Sequence, residues 1–217
     1  MAAPVRRPLK SRQTAWASAI ARGVARTGLT PNAISLLGVG FASGTAASLF
    51  GAAGVEGGAR AGLFVLAAVT VQLRLLCNLL DGMVAVEGGK GTPAGEVFND
   101  LPDRASDLLA LVPAGYALQG IPYGAELGWV AGVLAVLTAY VRVLGGAVGL
   151  EQRFTGPMAK PHRMAVLTFG LLLASGALGL GLGADSLVLA VTLGVIAVGA
   201  LVTAARRTVA VVRALHG

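Results

Sequence analysis

The chain has 217 residues, 55% of them hydrophobic and only 12% charged, with a mean hydropathy of +0.77. Soluble domains carry about 25% charged residues, so an ordinary water-soluble globule is excluded and membrane-spanning helices are expected. The net charge of +7 comes from basic residues in tails and in loops between apolar stretches. Positive charge in such places sets membrane orientation, and no nucleic-acid partner is expected. Cys77 stands alone, which rules out an intramolecular disulfide.

Residues 1–10, MAAPVRRPLK, read as a basic tail without the apolar segment of a signal peptide. Over 12–28, Trp16, Ile20 and Val24 recur every four residues, while Arg12, Arg22 and Arg26 fall toward another face. That pattern predicts an amphipathic helix lying in the interface of the cytoplasmic leaflet. Thr30-Pro31-Asn32 then opens the first span: Thr30 can cap, and Pro31 suits a first helical turn. Several apolar stretches approach the roughly 20 residues that cross a bilayer, and spans are expected at 31–52, 62–85, 97–119, 125–149, 163–183 and 186–206. The tails and the even-numbered connections hold Arg6, Arg7, Lys10, Lys90, Arg153, Lys160, Arg163, Arg206, Arg207 and Arg213; the other connections hold only Arg60. This asymmetry predicts cytoplasmic termini and cytoplasmic loops at 86–96 and 150–162. The expected architecture is all-α and polytopic, a multi-pass protein of the cell membrane. Residues 1–30 would form the tail and interfacial helix, and 31–217 a six-helix membrane domain.

Six of the ten acidic residues crowd into one window, NLLDGMVAVEGGKGTPAGEVFNDLPDRASD at 78–107. Arg74, Asn78, Asp81 and Ala85 are spaced by three or four and share one face of the second span. After the glycine-rich EGGKGTPAG turn, Asn99, Asp103 and Asp107 recur every four residues on the third. Ionisable residues at membrane depth are costly and mark a site facing a cavity. Apart from Arg74, these polar side chains offer oxygen ligands, which suit Mg²⁺, Mn²⁺ or Ca²⁺ better than zinc. Glu87, Lys90 and Glu96 read as solvated loop charges. Lys160, His162 and Arg163 in the next cytoplasmic loop, with Arg142 near the end of the fourth span, form a basic group suited to phosphate. Of these, His162 is a lone loop histidine to which no role is given.

The window resembles the signature of the CDP-alcohol phosphatidyltransferases, D-x-x-D-G-x-x-A-R, eight residues, then G-x-x-x-D-x-x-x-D. Asn78 and Asp81 take the first two aspartate places, Gly82 and Ala85 match, and Val86 takes the arginine place. Eight residues later Gly95 matches, and Asn99 and Asp103 take the last two aspartate places. Thr30-Pro31-Asn32, the six spans, the N-terminal helix and the basic loop before the fifth span extend the resemblance over most of the chain. It implies Mg²⁺ or Mn²⁺ held by Asp81, Asp103, Asn78 and Asn99, a site weakened by the lost charge that either holds one metal or recruits Asp100 and Asp107. Asp103 would be the catalytic base on the acceptor hydroxyl. Asn32, Gly82, Ala85 and Gly95 would bind the nucleotide, and Arg142, Lys160 and Arg163 the acceptor or lipid phosphate. The implied partners are a CDP-alcohol donor, an alcohol acceptor, the bilayer and a second copy in a homodimer. The implied reaction transfers a substituted phosphoryl group and releases CMP in phospholipid synthesis, with CDP-diacylglycerol the favoured donor and a cytoplasmic active site.

Asn78, Val86 and Asn99 depart from the pattern. They support a second expectation, a catalytically weak relative that binds a nucleotide or lipid headgroup as a partner or regulator. A transporter would need discontinuous spans in matching halves, and the sequence has none.

Overall fold

The structure is a computed structural model that describes residues 14–87 and 95–216, with the side chains of Val86, Glu87 and Glu96 outside the description. Those three side chains, the tail with Arg6, Arg7, Lys10 and Arg12, and the loop around Lys90 lie outside the described residues. Seven helices follow in chain order: α1 Ala15–Arg26, α2 Pro31–Ala53, α3 Gly57–Glu87, α4 Gly95–Tyr116, α5 Gly124–Ala147, α6 Lys160–Gly179 and α7 Asp185–His216. Thr30 caps α2 as expected, its hydroxyl accepting from Ala33 N at 3.2 Å, with Pro31 in the first turn. Helix α1 turns Ala17 and Ala21 into the bundle and leaves Trp16 and Ile20 largely exposed. The small alanines let its backbone approach the end of α3, where they join Cys77, Leu80 and Val84.

Helices α2 to α7 close into a ring, neighbours running α2, α4, α5, α7, α6, α3 and back to α2. Small residues set the approach. A Cβ on Gly115 would lie 2.7 Å from the Gly128 Cα, and one on Gly128 2.7 Å from the Val112 carbonyl, so α4 and α5 touch backbone to backbone. The interior is filled by Leu49, Phe64, Leu111, Leu167, Leu171 and Leu193, among others. Outward-facing Leu, Val and Phe side chains remain exposed along α2, α3, α5, α6 and α7. These five helices are long and apolar enough to cross a membrane. By contrast, α4 carries Asp100, Asp103, Arg104 and Asp107 in its first half and is not among them.

Arg60 was expected in a connection. It lies instead in the first turns of α3, 1% exposed, and donates to Asp185 at 2.8 Å, to the Ala52 carbonyl at 2.5 Å and to the Ala117 carbonyl at 2.7 Å. Because its charge is satisfied internally, the helix begins at Gly57 rather than 62. Arg207, read as a positive tail, is likewise buried inside α7, which continues to His216; it donates to the Thr155 and Thr138 carbonyls.

Candidate active site

At the end of the ring opposite Arg60, the start of α2, the second half of α3 and the first half of α4 border a narrow cleft. Its polar lining is Ser35, Arg74, Asn78, Asp81, Asn99, Asp103 and Ser106. The three- and four-residue spacings therefore do what helix geometry requires: Arg74, Asn78 and Asp81 share one wall, and Asn99 and Asp103 the other. Backbones can meet here because Gly38 faces Cys77; a Cβ on that glycine would lie 3.3 Å from the Cys77 Cβ. Pro102 also lines the cleft and brings no N–H to the Phe98 carbonyl four residues earlier.

The two carboxylates have unlike surroundings. Asp103 Oδ1 accepts from Arg74 at 2.5 Å and from the Asn78 amide at 2.9 Å. Its Oδ2 is ion-paired with Lys160, and Arg104 lies at 3.6 Å. Lys160, the first residue of α6, also donates to Asn78 Oδ1 at 3.0 Å, while the Asn78 amide reaches Asn99 Oδ1 at 3.3 Å. Asp81 is 4% exposed and takes one strong hydrogen bond, from the Ser35 hydroxyl at 2.6 Å. Its Oδ1 is buried without a hydrogen-bond partner.

That orphaned oxygen bears on whether a divalent cation fits. No group of three His, Cys, Asp or Glu side chains converges as a metal site among the described residues. The cleft does offer one uncommitted, buried carboxylate oxygen, with the Asn78 and Asn99 amides lining the same space. Such hard oxygen donors fit Mg²⁺ or Mn²⁺, which keep part of their shell for water or substrate phosphate.

The basic group behaves differently from the sequence expectation. Instead of sharing one anion pocket, each member holds a different aspartate of α4. Arg142 pairs with Asp100 at 2.5 Å, Lys160 with Asp103, and Arg163 with Asp107 at 2.7 Å. Both side chains of the last pair are 1% exposed, so Arg163 and Asp107 are enclosed away from the cleft. Arg142 also donates to Gln152 and stacks over the Phe154 ring at 5.1 Å. It borders a second, wider cleft between α5, α7 and the segment before α6, with Arg153 and Arg207 in the same lining. Asn32, Gly82, Ala85 and Gly95 are half-buried near the first cleft without lining it.

Sequence reasoning missed Ser35 and Ser106 in the cleft wall. Each carried a readable signal. Ser35 is a polar residue one turn past the Thr30 cap, and Ser106 continues the face of Asn99 and Asp103.

Fold and cleft together define a multi-pass helical membrane protein with a charged site buried at one end of its bundle. The fold is that of phosphatidylinositol phosphate synthase from Mycobacterium tuberculosis. The crystal structure of that enzyme with CDP-DAG bound matches 90% of this chain and 92% of its own, with a TM-score of 0.72 and 24% identity. The same enzyme with manganese and citrate matches equally well, at a TM-score of 0.72. No family model matches the sequence. Among curated relatives, phosphatidylinositol phosphate synthase of Mycolicibacterium smegmatis is 29% identical over 70% of this chain and 65% of its own length. The bifunctional IPC transferase and DIPP synthase of Rubrobacter xylanophilus is 34% identical over 70% of this chain and 35% of its own length. Inner membrane protein YnbA of Escherichia coli is 28% identical over 50% of this chain and 52% of its own. The chain thus spans less than two thirds of the length of each of these three relatives.

Proposed function

We propose that the chain is a CDP-alcohol phosphatidyltransferase. In the proposed reaction an acceptor hydroxyl attacks the β-phosphorus of a CDP-alcohol. An O–P bond forms, the bond to the CMP oxygen breaks, CMP leaves and the hydroxyl proton passes to a base. One observation carries this reading: four positions spaced as in the family signature, Asn78, Asp81, Asn99 and Asp103, line one cleft beside an orphaned carboxylate oxygen. The relatives' names and the CDP-DAG in the M. tuberculosis structure support it and favour CDP-diacylglycerol as donor.

Asp81, with Asn99, would hold Mg²⁺ or Mn²⁺, while the Asn78 oxygen accepts from Lys160 instead. When bound, the cation neutralises the diphosphate and the charge that develops on the leaving CMP. Asp103 is the residue assigned to the acceptor proton, kept in place by Arg74 and the Asn78 amide. Gly82, Ala85 and Gly95 leave room for the nucleotide, with Asn32 nearby. Arg142, at the rim of the second cleft, is the cation assigned to an acceptor or lipid phosphate. Enclosure removes Arg163 from that role. Residues 1–30 are assigned to the tail and interfacial helix, and 31–217 to one membrane domain in which α4 is a sixth span. The charge of the loops supports cytoplasmic termini and a cytoplasmic opening of the cleft.

The test incubates purified chain with CDP-diacylglycerol, Mg²⁺ or Mn²⁺ and a panel of alcohols, and measures CMP. Release is expected, and Asp81→Ala and Asp103→Ala should each lower it by about 100-fold or more, the scale of losing a positioned acid–base or charged group. Metal-dependent binding of CDP-diacylglycerol with no CMP release would move the chain to the second reading, a headgroup-binding relative, which Asn78 and Asn99 favour. Neither binding nor release would reject the transferase.

A further inference from the structure

We infer that the cleft takes one external divalent cation, at Asp81, and that Lys160 serves as a built-in second cation at Asp103. The inference deepens the transferase reading and rests on it. It begins from the valence of the two carboxylates. A carboxylate has about four acceptor positions. Asp103 takes three hydrogen bonds, from Arg74 and the Asn78 amide on Oδ1 and from Lys160 on Oδ2, with the Arg104 guanidinium a further positive charge at 3.6 Å. One position on Oδ2 is left over, and it serves the acceptor hydroxyl. Asp81 accepts from the Ser35 hydroxyl, has no ion pair among the described residues, and keeps a buried, unpartnered oxygen beside the cleft. A buried carboxylate left in that condition is unfavourable until a proton or a cation neutralises it, and the neighbouring amide oxygen of Asn99 suits a cation.

Charge gives the same answer. The cleft wall holds two carboxylates, while Arg74, Lys160 and Arg104 bring three positive charges to the Asp103 end alone. A second divalent ion there would meet like charge. The amide at position 78 fits this arrangement, because its two ends face groups of opposite sign: the N–H donates to Asp103 and the oxygen accepts from Lys160. An aspartate there would turn an anion toward Asp103 where the amide now donates. Asn78 and Lys160 therefore act as one unit, an amide that joins Asp103 to an ammonium standing in the place of a second metal.

The experiment titrates the purified chain in detergent with Mn²⁺ alone, with no nucleotide, and reads unbound Mn²⁺ by electron paramagnetic resonance. One Mn²⁺ per chain is expected. Asp81→Asn should abolish that binding, whereas Asp103→Asn should keep one ion. Lys160→Met with Asn78→Asp, which removes the ammonium and restores a carboxylate, should raise the stoichiometry to two. Should that pair fail to fold, Lys160→Gln with Asn78→Asp asks the same question with less apolar change. Two ions per wild-type chain, no Mn²⁺ binding at all, or binding lost with Asp103→Asn but kept with Asp81→Asn would each overturn the inference. CMP release by a chain that binds two ions would sink this inference alone. One bound Mn²⁺ with no binding of CDP-diacylglycerol would sink the transferase reading alone.

Discussion

Asp100, Asp103 and Asp107 lie on α4 at three- and four-residue spacing, yet only Asp103 faces the cleft. What separates them is the cation that each meets from another helix. Asp107 illustrates the energetics: it and Arg163 are 1% exposed and 2.7 Å apart. Removing one partner from a buried pair leaves an uncompensated charge and costs about 3–5 kcal/mol, whereas replacing both with apolar residues of similar volume is often neutral. Arg163→Ala should therefore lower the thermal midpoint in detergent strongly, and Asp107→Leu with Arg163→Met should recover most of the loss. A role for Arg163 in binding substrate would instead predict a raised KM at unchanged stability.

Among the elements, α4 shows how far the sequence could be read. The face that carries Asn99 and Asp103 follows from a 3.6-residue period, and so does the opposing wall of Arg74, Asn78 and Asp81; both were legible because helix geometry is local. The pairing of Lys160 with Asp103 was not legible, since it joins residues that are distant in sequence and depends on where α6 begins. The same limit misplaced Arg60 and Arg207, whose charges look like loop signals until their buried partners are known. Contact between α4 and α5 also depends on residues that sequence alone would pass over. Val112, Gly115 and Gly128 meet there so closely that a Cβ at Gly128 would fall 2.7 Å from a carbonyl oxygen. Gly128→Ala should thus destabilise the bundle by about 1–3 kcal/mol, as overpacking does. A Cβ at Gly194 would meet nothing within 4 Å, so Gly194→Ala is the matched control, expected to be neutral or stabilising by up to about 1 kcal/mol through helix propensity. Thermal unfolding of the two variants side by side checks the difference.

At the scale of the whole molecule, the ring of six helices separates two charged ends. Arg60 and Asp81 both belong to α3, about 30 Å apart at 1.5 Å per residue, close to the thickness of a bilayer's hydrocarbon core. The cleft lies at one end, and the Arg60 cluster closes the other by tying α3 to the last turn of α2, the residue after α4 and the start of α7. Asp185→Asn should consequently reduce thermal stability by several kcal/mol, as for a broken buried pair, while the Mn²⁺ stoichiometry at the distant cleft stays at one per chain. Loss of Mn²⁺ binding in that variant would show that the two ends are not independent. The same cluster also imposes an order in time. Arg60 is near the beginning of the second long helix to be synthesised, and its carboxylate opens the last. Until α7 enters the membrane, the growing chain carries an arginine without its counter-ion, so the bundle cannot finish assembling before synthesis of the final helix.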